Sequence, residues 1–180
     1  MQRSGFTLLE LLITLVISAI LLLMALPNFN NLVQSSRIMA VSEELQGAIS
    51  LARSTAIATN SRTILAATNN HWHEGWTLFI DTNNDGNLSE GETTVKVGEE
   101  KQRVVTDASQ PMDSYISFIS TGESRQKSKS SSGAFLAGHI KICPANKGGG
   151  NKLILSGGGR TRLEKLTESD CAQLQAQGLR

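Results

Sequence analysis

Residues 1–27 read MQRSGFTLLELLITLVISAILLLMALP, a five-residue polar leader ending in glycine and then an apolar run closed by proline. From Phe6 to Leu26 the run holds twenty-one residues whose only charge is Glu10. At about 1.5 Å of rise per residue such a helix reaches roughly 30 Å, the thickness of a bilayer's hydrocarbon core. A secretory signal peptide has a shorter apolar region with a small-residue cleavage site behind it. Here the plausible cut, after Gly5, lies in front of the run and leaves the apolar helix on the mature chain. Pro27 is placed to loosen that helix where it would leave the membrane.

An acid near bilayer depth costs about 2.5–3.5 kcal/mol on insertion scales and is ordinarily kept for a partner. A plain signal anchor with a chance glutamate is the simpler alternative. Gly5-Phe6-Thr7-Leu8-Leu9-Glu10, however, resembles the processing motif of type IV prepilins and pseudopilins. The resemblance implies cleavage after Gly5 by a prepilin peptidase, methylation of the Phe6 amine, and pairing of Glu10 with the amine of a neighbouring subunit during assembly.

After the anchor about 150 residues remain, enough for one compact domain. The formal charge of +1 conceals an asymmetry. His71 to Glu123 carries ten acids against Lys96, Lys101 and Arg103, whereas Arg125 to Leu163 carries eight bases and no acid. Aromatic residues make up only 4% of the chain, so phosphate contact is a better expectation than base stacking for any nucleic-acid partner. Cys143 and Cys171 fall in the part that an N-terminal anchor with a short leader leaves outside the cytoplasm, where disulfides persist. Closing that loop is worth roughly 3–4 kcal/mol on the chain-entropy model. A metal or redox pair fits less well, because the spacing is long and no further ligand lies nearby.

Beyond Pro27, Phe29, Leu32, Val33, Ala40, Leu45, Ala48, Ile49, Ala52 and Ala56 recur at three-, four- and seven-residue steps, the stripe of an amphipathic helix. The expected division is a leader over 1–5, a transmembrane and assembly helix over 6–27, its amphipathic continuation over 28–60, and a β-rich domain over 61–180. Strands are expected at Thr63–Ala67, Trp76–Ile80, Thr93–Val97, Arg103–Val105, Tyr115–Ile119, Phe135–Cys143 and Lys152–Leu155, separated by Gly, Asn, Asp and Ser clusters. The fold class is α+β, a long N-terminal helix on a largely antiparallel sheet. Ser120–Gly133 is expected to be a mobile polar loop, and Lys147–Lys152 a hairpin turn.

Gly159-Arg160-Thr161-Arg162 is the second informative feature. In an extended segment residues two apart point the same way, so Arg160 and Arg162 would present two guanidinium forks, each able to grip a phosphate. Two solvated arginines on an edge strand is the bland alternative. The surrounding stretch is basic, with Lys127, Lys129, Lys141, Lys147 and Lys152, though spacing does not say whether these share a face. Gly-Arg-x-Arg flanked by two C-terminal cysteines resembles the FimT-type minor pilins of the wider GspH/FimT family. That resemblance implies DNA uptake during natural transformation.

Asp81–Glu92 fits the EF-hand loop expression, with Asp81, Asn83, Asp85, Asn87 and Glu92 as candidate calcium ligands. Its flanks read as strands where an EF-hand needs helices, and GspH/FimT members resemble it with Asp-Gly turns after a Gly-Trp strand, which implies a structural connection. His71 and His73 are a conceivable metal pair lacking a third ligand in sequence. No nucleophile elbow, phosphate loop or close Cys/His set appears, so no enzyme and no cofactor is expected.

The expectation is therefore a minor type IV pilin of the bacterial inner membrane, single-pass with a periplasmic domain, assembled with other pilin subunits into a surface pilus. Gly159, Arg160, Arg162, Lys152, Lys141, Lys127 and Lys129 are its expected DNA contacts, through the phosphate backbone. The rivals are a priming minor pilin and a type II secretion pseudopilin, neither of which needs to touch DNA.

Overall fold

The computed structural model describes residues 7–127 and 133–177, except for the side chains of 22–28 and 177. Gly5, Phe6 and Lys129 lie outside the described residues. Helix α1 spans Leu8–Thr59 and carries Pro27 within it. The chain divides into two compact units, 1–37 and 38–180.

In the first unit Thr7 caps α1, its Oγ1 accepting from the Glu10 amide at 3.2 Å. This is an N-cap bond in a Thr-x-x-Glu sequence, and it puts Glu10 in the first turn, at the positive end of the helix dipole. Leu8, Leu9, Leu11, Leu12, Leu15 and Leu21 are exposed around the helix. Among the described residues no helix is long and apolar enough to cross a membrane. The apolar run over 6–26 includes Phe6 and the side chains of 22–26, which lie outside them.

Among its described residues the second unit holds the later half of α1, eight strands and helix α2, Glu168–Gln177. Strands β1 (Arg62–Thr68), β2 (His71–Asp81), β3 (Thr94–Gly98) and β5 (Tyr115–Phe118) form one antiparallel sheet in the order β3-β2-β1-β5. Strands β4 (Val104–Ala108), β6 (Gly138–Pro144), β7 (Gly150–Leu155) and β8 (Thr161–Leu166) form a second, in the order β4-β6-β7-β8. The expected single sheet is thus two. Asn69 and Asn70, both at positive φ, make the two-residue turn from β1 to β2.

Ile38, Val41, Leu45, Ala48, Ile49, Ala52 and Ala56 of α1 share one core with Leu65, Trp72, Trp76 and Leu78 of the first sheet and Ile140, Ile142, Leu153 and Leu155 of the second. The expected stripe is right from Leu45 onward and wrong before it. Phe29, Leu32 and Val33 are exposed in the first unit, Ala40 is exposed in the second, and Ile38 and Val41 take the buried positions instead.

Ser120–Gly133 is also not the loose loop its composition suggests, as far as it is described. Ser124 is fully buried. Its Oγ donates to the Leu136 carbonyl at 2.6 Å, and its amide donates to the Gly157 carbonyl at 3.1 Å. Bridges Phe118↔Ser124 and Arg125↔Phe135 pin the segment on both sides. Serine, chosen by turns for its hydroxyl, here satisfies buried carbonyls.

The Cys143–Cys171 disulfide ties α2 to β6. Around it Val105, Leu174, Ala145 and Leu166 form a second small core. Gln175 Nε2 faces the carbonyls of Pro144, Asn146 and Gly148, closing the turn between β6 and β7. The bridge sits at the end of β7 opposite the arginine turn, where a Cβ on Gly150 would lie 2.9 Å from Cys171 Sγ. Five strand steps, roughly 17 Å, separate Gly150 from Leu155 beside the arginine turn.

Candidate nucleic-acid interface

The turn joining β7 to β8 is built from Ser156-Gly157-Gly158-Gly159-Arg160. The Ser156 amide donates to the Arg160 carbonyl at 2.9 Å, and the Gly159 amide donates to the Ser156 carbonyl at 2.8 Å. Ser156 Oγ also accepts from the Arg160 amide. Gly159 is at φ +78°, and an added Cβ would stand 2.5 Å from the Gly122 carbonyl oxygen. A glycine is therefore needed just before Arg160 for both conformation and space. Arg160 projects from the turn into solvent, and its guanidinium has no partner among the described residues.

Strand β8 then places Arg162 on the outer face of the second sheet. Cross-strand register puts Asp107, Lys141, Lys152 and Glu164 in one row, and His139, Ile154 and Arg162 in the next. Their neighbours Ile140, Ile142, Leu153 and Leu155 point the other way, into the core. So Lys141, Lys152 and Arg162 do share a face. His139 registers it: burial holds its pKa below the usual imidazole value, and the Lys152 and Lys141 charges add to that depression.

A stretch free of acid in sequence is not free of acid in space. Arg162 Nη2 pairs with Glu164 Oε1 at 2.8 Å, and Arg125 Nη2 pairs with Glu123 Oε2 at 2.7 Å. Each end of the basic stretch is thus met by an acid just outside it. The Arg162–Glu164 pair is well exposed, so it is worth about 0.2–1 kcal/mol and an incoming phosphate can displace it.

Arg160 borders a groove of about 480 Å³ between the later half of α1 and the β7–β8 turn, with Ser50, Arg53, Ser54, Ile57 and Thr161. Arg53 Nε donates to the Gly122 carbonyl at 2.9 Å. Sequence inspection overlooked Arg53, because helical spacing alone does not relate it to a turn more than a hundred residues away.

The other expected contacts go elsewhere. Lys127 lies over the Tyr115 ring, its Nζ 4.5 Å from the ring centre, and its stem rests against Gly86 of the Asp81–Glu92 loop. Burial lowers its pKa, while Asp81 and Asp85 oppose that shift.

The Asp81–Glu92 loop uses several of its oxygens internally, while Asp81 Oδ1 is buried without a hydrogen-bond partner among the described residues. Asp81 Oδ2 accepts from the Gly86 amide, Asp85 Oδ1 from the Asn87 amide, and Glu92 from the Thr82 and Ser89 amides. The Asp85–Asn87 bond is an Asx turn, and the Asp81 and Glu92 bonds tie the loop across its width between β2 and β3. Asp81 is buried, and desolvation raises its pKa. His73 Nδ1 accepts from the Thr106 amide at 3.2 Å, which leaves the proton on Nε2 in the neutral ring. Among the described residues no group of three His, Cys, Asp or Glu side chains could hold a metal ion.

The same architecture occurs in the type IV minor pilin FimU of Pseudomonas aeruginosa. One crystal form matches with a TM-score of 0.52 and 21% identity, over 73% of this chain and 94% of that one. A second matches with a TM-score of 0.55 and 20% identity, over 74% and 91%. No curated protein sequence matches the chain. The fold is that of a type IV pilin. The chain belongs to the family described as Type II transport protein GspH, which matches residues 41–159, and the prokaryotic N-terminal methylation motif matches residues 1–26. The family match stops at Gly159, so Arg160 and Arg162 lie just beyond it.

Proposed function

We propose that this minor pilin binds DNA through its phosphate backbone, with Arg160 and Arg162 as the principal contacts and Lys141 and Lys152 beside them. The observation that carries the reading is the Arg160 fork at the tip of the β7–β8 turn, unpartnered among the described residues and adjoining a face that bears Lys141, Lys152 and Arg162. Phosphate contacts do not read sequence, so binding is expected to be largely non-specific and strongly weakened by salt. In this reading prepilin peptidase cuts after Gly5, the Phe6 amine is methylated, and Glu10 meets a neighbouring subunit's amine. The chain is held in the inner membrane with its second unit in the periplasm, enters a pilus, and retraction carries the bound DNA inward as in natural transformation.

The test is an anisotropy titration of the full chain, in nonionic detergent, with a short fluorescent duplex. Three or four phosphate contacts imply a log–log salt slope of roughly −3. Arg160→Ala/Arg162→Ala should weaken binding while leaving the melting temperature unchanged, since both side chains are exposed. Equal binding by this variant at low salt would remove the DNA role. The second reading is a structural or priming subunit, or a secretion pseudopilin, that binds only protein. It is favoured by Asp107 and Glu164, which end the Lys141–Lys152 row on both sides.

A further inference from the structure

Gly122, Gly159, Arg53 and Arg160 meet at one place. The Gly122 carbonyl accepts from Arg53 Nε at 2.9 Å, and the Gly159 backbone packs so closely on that carbonyl that even a methyl group would collide. An added Cβ on Gly159 would also stand 3.1 Å from Arg53 Nε. A single carbonyl therefore positions Arg53 and seats the turn that carries Arg160.

The bond to Gly122 uses only Nε–H, so the terminal nitrogens of Arg53 remain available to an acceptor. Arg53 and Arg160 line the same groove with Ser50, Ser54 and Thr161, and among the described residues no carboxylate lines it. Arg162 is on the sheet face paired with Glu164 and is not part of the groove. We propose that Arg53 is a further DNA-binding residue, and that Arg53 and Arg160 clamp one backbone phosphate in the groove between α1 and the β7–β8 turn. Two planar forks on opposite walls suit the oxygens of a phosphodiester, and the absence of a lining acid leaves both charges for it. The clamp rests on the DNA reading above. It adds that the long helix supplies part of the binding surface.

The experiment is the same anisotropy titration of the full chain in nonionic detergent, at several salt concentrations, with Arg53→Ala, Arg53→Lys, Arg160→Ala and Arg53→Ala/Arg160→Ala. Arg53→Ala should weaken duplex binding roughly tenfold, and because Arg160 still meets the shared phosphate, the slope should become shallower by the full ~0.9 of one phosphate only in Arg53→Ala/Arg160→Ala. Arg53→Lys should recover only part of the affinity. The double variant should lose less than the product of the two single losses, because the pair shares one phosphate. If the parent binds and Arg160→Ala weakens it, but Arg53→Ala stays within twofold, the clamp is wrong and the DNA reading stands. If Arg53→Lys binds no better than Arg53→Ala, Arg53 acts by seating the turn and the clamp is again wrong. If the parent does not bind the duplex, both fall together.

Discussion

Two adjacent glycines should respond to the same substitution in opposite ways. At Gly159 the backbone lies at φ +78°, and a methyl group would stand 2.5 Å from the Gly122 carbonyl oxygen and 3.0 Å from the Phe118 ring. The left-handed conformation costs an alanine about 1–2 kcal/mol. Overpacking against backbone, which cannot swing aside as a long side chain can, adds about 1–3 kcal/mol. A total near 3 kcal/mol corresponds to a fall in melting temperature of roughly 6–12 °C for a chain of this size. At Gly158 nothing lies within 4 Å of the added carbon, and its φ is not among the positive ones. Gly158→Ala should therefore leave the melting temperature unchanged or raise it slightly. Circular-dichroism melts of the two variants beside the parent decide the matter. A Gly159→Ala protein that melts with the parent would refute the close approach of the turn to Gly122, and with it the placement of Arg160 beside Arg53.

Replacing Cys143 and Cys171 by serine should cost about 3.6 kcal/mol on the loop-entropy model for a separation of 28 residues, with hydrogen exchange rising first in α2. A melt and an exchange profile matching the oxidised parent would contradict this. Glu164→Gln should free Arg162 and strengthen duplex binding about two- to fivefold at low salt, by removal of a like charge beside the phosphates; weaker binding would argue against Arg162 as a contact. Burial depresses the His73 pKa, so the unfolded chain binds more protons once pH drops below the usual imidazole value. The stability present above that value should be lost as pH falls through the folded pKa. His73→Gln should flatten that loss in melts across pH 5–8, and an unchanged profile would show that another group dominates.

The elements visible in the sequence were those with a local cause. The apolar run over 6–26 and the buried spacing Leu45, Ala48, Ile49, Ala52 and Ala56 declare a helix, and the β-branched runs declare most strands. Strand β8, Thr-Arg-Leu-Glu-Lys-Leu, is largely charged, and its extended form comes from the full ladder with β7, which only the fold supplies. Helix α2 has little amphipathic pattern, yet Thr167-Glu168-Ser169-Asp170 is a capping signal in which Asp170 Oδ2 accepts from the Thr167 amide at 2.8 Å. Reading that box would have found the helix. In the candidate site, period-two alternation does not hold for the two arginines: Arg160 precedes β8 and lies in the turn beside the groove, whereas Arg162 is on the outer face of the sheet. The same alternation does place Glu164 beside Arg162, although the acid-free window ends one residue before it. Arg53 was invisible for the same reason that β8 was: its neighbours are assembled by tertiary packing.

Lys127 has a consequence for the Asp81–Glu92 loop. A cation recruited from the medium occupies a site only as often as its activity and affinity allow, and it departs when the surroundings are diluted or chelated. An ammonium tethered to the same chain is present at an effective concentration fixed by the fold. With Lys127 resting on Gly86 and its charge opposing Asp81 and Asp85, the loop carries its counterion with it. The β2–β3 corner would then keep its shape whether divalent cations are supplied or chelated.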